Sequence, residues 1–217
     1  PSAATSAPGA DDNGSGSVAV LQAAELMVPY HFNATVRFIL FTGEEQGLLG
    51  STAYANWVAG QDIRGVLNMD MIAWNNQGGP DMDLHARSAV PGSVELGTLY
   101  TDVISAYALP LTPVVYGNGT SASDHSPFWS HNVPAILAIE NYNADTGAPR
   151  DFNAYYHSVN DRVSAYNVPF FRAMTQASLA TFIHMAGLYT GCYWADLNCS
   201  GAVDVLDLSR EAAAWQA

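Results

Sequence analysis

The chain has no lysine: its seven basic residues are all arginine, set against 20 acidic ones, for a net charge of −13 at pH 7. So few cations exclude nucleic-acid binding, which rests on clustered lysine and arginine. No run of about 18 apolar residues occurs, so no segment reads as a membrane-spanning helix. The first residues lack the basic start and apolar centre of a signal peptide, and no methionine stands at position 1. We therefore expect a processed or truncated piece of a longer protein. Cysteine is nearly absent. Cys192 and Cys199 would close a short disulfide loop in an oxidising compartment and otherwise are two free thiols. Charged residues make up only 12% of the chain, beside 11 tyrosines and five tryptophans. That composition is associated with export, and a secreted or extracytoplasmic protein is expected.

At 217 residues and 49% hydrophobic composition, the chain is long enough to bury a full core. Residues Ser17 to Val28, Gln46 to Val58, Val94 to Tyr107 and Val168 to Tyr189 place apolar side chains at helical spacing. Between them lie short apolar runs that read as buried strands: Thr35 to Thr42, Gly65 to Ile72, Thr112 to Tyr116 and Pro134 to Glu140. Asn75 to Pro80 is rich in turn residues. Alternating apolar strands and helices predict an α/β sheet covered on both faces.

In such a sheet the ligand crevice lies beyond the carboxyl ends of the strands, and the most distinctive acids fall there. Asp11-Asp12 sits in Pro8-Gly-Ala-Asp-Asp-Asn-Gly-Ser-Gly16. Glu44-Glu45 sits in Phe41-Thr-Gly-Glu-Glu-Gln-Gly-Leu-Leu-Gly-Ser51, and Asp70 ends the next strand. His157 lies in Tyr155-Tyr-His-Ser-Val-Asn-Asp161. Adjacent carboxylates repel, so a fold that holds both at a strand end usually has a cation beside them. Three carboxylates and an imidazole suit Zn²⁺, which takes oxygen and nitrogen donors. A further carboxylate off the metal could accept a proton from water. Each piece also has a simpler reading: a helix cap for Asp11 or Asp12, first-turn acids for Glu44 and Glu45, a solvated loop for His157. Asp70 resists one, because an acid inside an apolar strand needs a partner once buried.

Taken in order, these motifs, with Asn68-Met-Asp-Met71 and Ser123-Asp-His-Ser-Pro-Phe128, resemble the co-catalytic di-zinc aminopeptidase family over about residues 8 to 190. The resemblance implies a three-layer α/β/α zinc-peptidase fold with a mostly parallel mixed central sheet. It implies that Asp12 bridges two zinc ions, that Glu45 and His157 hold one, and that Asp70 holds the other. Glu44 would be the general base. Asp124 and His125 resemble residues that support the ligands or line the substrate pocket, and Asp161 would support the loop carrying His157. One departure stands out. In the family the zinc held by Asp70 also takes a histidine from a His-x-Asp strand ahead of the Gly-Ala-Asp-Asp loop, and here no histidine precedes His31. We therefore expect residues 1–190 to be an N-terminally incomplete catalytic domain. Its sheet would lack the first strands and expose an apolar edge, and it would hold one zinc where the complete enzyme holds two. His31, His85, His131 and His184 stand at no family ligand position and are assigned to surface or packing.

Residues 191–217 form a separate module. Asp196, Asn198, Ser200, Gly201, Asp204 and Asp207 occupy positions 1, 3, 5, 6, 9 and 12 of a candidate Ca²⁺ loop. This resembles the first repeat of a dockerin-type module and implies a cohesin-like or cell-surface partner; the plainer reading is a polar turn ahead of a frayed helix. The expected function is a zinc exopeptidase acting on the N-terminal bond of peptides. The alternatives are a glutaminyl cyclase-like acyltransferase and a catalytically silent binding scaffold.

Overall fold

The sheet is assembled from strands β1 (Val66–Met69), β2 (Asp81–His85), β3 (Thr112–Tyr116) and β4 (Ala135–Glu140), in the order β1-β4-β2-β3. The structure is a computed structural model that describes residues 7–77, 79–142 and 150–188. Cys192, Cys199 and the candidate calcium loop lie outside the described residues. β1 runs parallel to β4 and β2 parallel to β3, while β2 and β4 are antiparallel, so the sheet is mixed.

Among the described residues five α-helices flank it: α1 (Gly16–Met27), α2 (Leu49–Trp57), α3 (Ser93–Ala106), α4 (Ser126–Trp129) and α5 (Val168–Ala186). One face of the sheet offers Met82, Leu84, Ile136 and Ala138 to Ala19 of α1, Leu96, Tyr100 and Ile104 of α3, and Phe170 and Met174 of α5. On the other face, Ala55 of α2 and Phe128 and Trp129 of α4 close over Ala135. Burial on both faces explains why β4, Ala-Ile-Leu-Ala-Ile-Glu, is apolar up to its last residue. Among the described residues no helix is long and apolar enough to cross a membrane.

Local chemistry sets the element ends. The expected helix from Gln46 begins only at Leu49, because the amides of Gly47 and Leu48 both turn back onto the Glu44 carbonyl. α5 stops at Ala186, where Gly187 takes φ 69°. β1 stops at Met69: Met71 adopts a left-handed φ of 55°, so Asp70 is left at the strand end.

The expected strand from Thr35 to Thr42 does not form. No backbone hydrogen bond joins residues 35–41 to any strand among the described residues. A cavity of about 640 Å³ is lined both by this segment and by β1. A strand exists only through its ladder, so an apolar β-branched run with no neighbour at pairing distance stays irregular. Phe41 still packs on Tyr54 and Phe128, but Phe38 and Leu40 are left 38% and 54% exposed. Among the described residues β1 is an edge strand, and its four residues are all only half-buried.

Candidate metal centre

Asp12 is presented by a tight loop, Ala10–Ser15, that enters α1. Gly9 starts it at φ 61°, and a Cβ at Gly16 would collide with the Met69 carbonyl oxygen, so only glycine lets the loop lie against the end of β1. Asn13 fastens it there: its Nδ2 donates to the Met69 carbonyl (2.9 Å) and its Oδ1 accepts from the amides of Gly16 (3.0 Å) and Met71 (3.3 Å). The Asp161 carboxylate accepts from the amides of Asp11 (3.0 Å) and Asp12 (3.1 Å). Asp161 thus ties its own segment, which carries His157, to the Asp12 loop.

Three of the expected ligands meet. The Nε2 of His157 lies 2.6 Å from Glu45 Oε1 and 3.2 Å from Asp12 Oδ2. One ligand atom from each of Asp12, Glu45 and His157 falls within 4.8 Å of the others, which is the spacing a single cation requires. His157 reaches in from a left-handed backbone position, φ 55°, with the Tyr156 ring stacked on it at 3.6 Å.

Asp70 stands deeper, 9% exposed. Its Oδ2 accepts from Ser123 Oγ at 2.6 Å, and Ser123 in turn accepts from Asn68 Nδ2 at 2.8 Å. Its Oδ1 is buried with no partner among the described residues, as is Asp124 Oδ1. An orphaned buried carboxylate oxygen is costly unless a cation or a proton answers it.

The protons report the same deficit of positive charge. Burial, then the charges of Asp70 and Glu45, push the Asp12 carboxyl up to about 8. Burial and the charges of Asp70, Glu45 and Asp124 push Glu44 up to about 7. Asp70 rises to about 6, chiefly by burial, against the lowering pull of Ser123. A divalent ion would reverse these shifts by rewarding the charged forms. The acids fit a metal, and the histidine and orphaned oxygens make zinc the natural choice.

The remaining expected residues divide. Asp124 borders the cavity beside Glu44 and Asp70, and its carboxyl is raised by burial while Ser51 bonds to it. His125 turns away: fully buried, it donates from Nε2 to the Thr120 carbonyl (3.0 Å) and packs edge-on against Trp129. Burial lowers its pKa to about 3, so it is a neutral packing residue. His31, His85, His131 and His184 join no group of candidate ligands among the described residues. His85 is buried, accepting at Nδ1 from the Thr120 amide; His131 pairs with Asn56 and His184 with Tyr107. Sequence reasoning missed Asn13, Ser123 and Glu140. Glu140 carried the signal that singled out Asp70, an acid ending an apolar strand.

Comparison with known proteins gives the family. The model of peptidase family M28 matches residues 2–182. Leucine aminopeptidase 2 of Trichophyton rubrum is 34% identical over 179 residues, covering 74% of this chain and 35% of the relative. Aminopeptidase Y of Saccharomyces cerevisiae is 29% identical over 209 residues, covering 94% of this chain and 38% of the relative. The chain thus spans little more than a third of the length of these relatives. The LapA aminopeptidase of Legionella pneumophila superposes with a TM-score of 0.70 at 24% identity, over 83% of this chain and 47% of that one. A glutaminyl cyclase of Bacteroides thetaiotaomicron is more distant, at a TM-score of 0.57 and 19% identity over 80% of this chain and 62% of that one. By the family match and the shared fold, this chain belongs to peptidase family M28.

Proposed function

We propose that this chain is the metal-binding part of a zinc aminopeptidase that hydrolyses the N-terminal peptide bond of peptides. The observation that carries the reading is the meeting of Asp12, Glu45 and His157 within 4.8 Å, with Glu44 next in sequence and outside that group. Zinc bound there supplies Lewis-acid activation of water and of the scissile carbonyl. Glu44 is the base: beside the metal group but outside it, its ionised carboxylate would take a proton from the attacking water and return it to the leaving amine. Asp70 is the carboxylate for a second ion. Among the described residues no histidine groups with it, and one zinc is the stoichiometry proposed for this chain. Calcium binding and a cohesin-like partner are proposed from residues 196–207 alone.

That single three-donor group also suits a one-zinc glutaminyl cyclase, the second reading. Zinc-loaded protein is tested on aminoacyl-nitroanilides and on a peptide with N-terminal glutamine. Release of free amino acid, abolished by a chelator, supports the peptidase; ring closure of the glutamine without hydrolysis overturns it in favour of the cyclase. Zinc uptake with neither reaction supports the silent scaffold.

A further inference from the structure

Glu140 ends β4 and is wholly buried, an acid behind five apolar residues. Its Oε2 accepts from the Trp74 amide (3.2 Å), its Oε1 accepts from the Asn153 amide (2.7 Å), and its carboxyl hydrogen-bonds that of Asp11. These partners sit on three separate segments. Asp11 precedes Asp12, Trp74 follows Asp70 in the turn beyond β1, and Asn153 opens the stretch that leads to His157. Asp11 repeats the pattern, accepting at Oδ1 from the Ala73 amide (2.9 Å) and at Oδ2 from the Asn153 side chain (2.9 Å). The segments that bear the candidate ligands are therefore joined to one another behind the site by a buried pair of carboxyls.

We propose that Glu140 is a positioning residue of the metal centre: by bonding the Asp11, Trp74 and Asn153 segments at once, it holds Asp12 and His157 in the relation a metal ion requires. The proposal rests on the reading of those two residues as ligands.

The donor and acceptor arithmetic favours an acid at this position. Burial and the Asp11 charge raise the Glu140 carboxyl well above its ordinary value. A protonated carboxyl gives one O–H to Asp11 and keeps lone pairs on both oxygens for the two amides. Glutamine has a single acceptor oxygen, and its NH₂ would face one of the two amide donors. Aspartate would fall one methylene short. A group that braces the ligand segments should set metal affinity, as partners behind metal ligands commonly do at a cost of about 10–100-fold when removed.

The test uses the full 217-residue chain, freed of zinc and titrated with zinc against a chromogenic chelator, with thermal unfolding followed on the zinc-free protein. Glu140→Gln is expected to weaken zinc binding by about 10-fold or more. Ile104→Val, a core change in α3, serves as the control for lost fold strength and is expected to leave zinc affinity unchanged. Wild-type zinc affinity in Glu140→Gln overturns the proposal, and so does an equal loss in Ile104→Val. If Glu140→Gln does not fold, Glu140→Asp is expected to show the same split, and wild-type affinity there overturns the proposal equally. Failure of the unmodified chain to bind zinc is a separate result that removes the ligand assignment itself.

Discussion

Asp12, Glu45 and His157 meet at the mouth of the site on irregular segments, with 39% of the His157 side chain and 47% of that of Glu45 open to solvent, whereas Asp70 ends a sheet strand and is 9% exposed. In the open half, His157 Nε2 lies within hydrogen-bond reach of a carboxylate oxygen of each partner. The deep half has no such bridge. Ser123 answers one oxygen of Asp70 and the other has no partner among the described residues. Exposure also sets access, since the open half is the one a metal ion can reach from solvent.

The base assignment is the sharpest way to press this comparison, because Glu44 feels both halves through the charges of Asp70 and Glu45. In zinc-loaded protein Glu44→Gln is expected to cut turnover by ~10²–10⁴-fold, the span typical of general-base loss, while zinc content by metal analysis stays unchanged. Near-normal turnover would remove Glu44 as the base.

The two halves should next differ in metal affinity. Chelator competition is expected to show His157→Ala losing zinc by about 100-fold or more, since it removes the one nitrogen donor of the group. Asp70→Asn should cost far less, because Asp70 lies outside that group. Equal losses in the two variants would erase the distinction.

The smallest effect concerns pH. In the zinc-free protein the carboxyls of Asp12, Glu44 and Asp70 are raised to about 8, 7 and 6. Folded values above unfolded ones mean that the native state binds more protons, so stability is fully present in acid and is lost as pH rises through the folded values. Thermal unfolding of zinc-free protein should therefore fall from about pH 5 to pH 8, and zinc should flatten the slope. A melting temperature that climbs over that window would contradict the electrostatic account.

Much of the site could be read from residue order because its acids break local patterns. Asp70 interrupts an apolar strand, Glu44-Glu45 repeats a charge, and Asp11-Asp12 sits among glycines. Residues that work through backbone amides leave no such mark: Asn13 and Ser123 are ordinary in their local context, and their roles arise from segments that meet only in three dimensions. The strands divide on the same principle. Pro134 to Glu140 is apolar because it is central, and its pairing followed. Thr35 to Thr42 also has an apolar centre but pairs with no strand among the described residues, a tertiary fact that periodicity does not contain. Asp81–His85 is a strand that local pattern does not announce, because two acids and a histidine stand among its five residues, although Met82 to His85 are all buried.

Along the open edge of β1, half-buried backbone runs beside a cavity rimmed by Phe38 and Leu40. Unpaired strand edges and clustered apolar side chains invite another chain to add itself. What opposes that approach is the net charge of −13, whose repulsion reaches about 10 Å in 0.1 M salt and about 3 Å in 1 M. Dispersal of this protein is thus a contest between adhesive backbone and long-range charge. Ionic strength decides it, with dilute buffer keeping molecules apart and concentrated salt bringing their edges together.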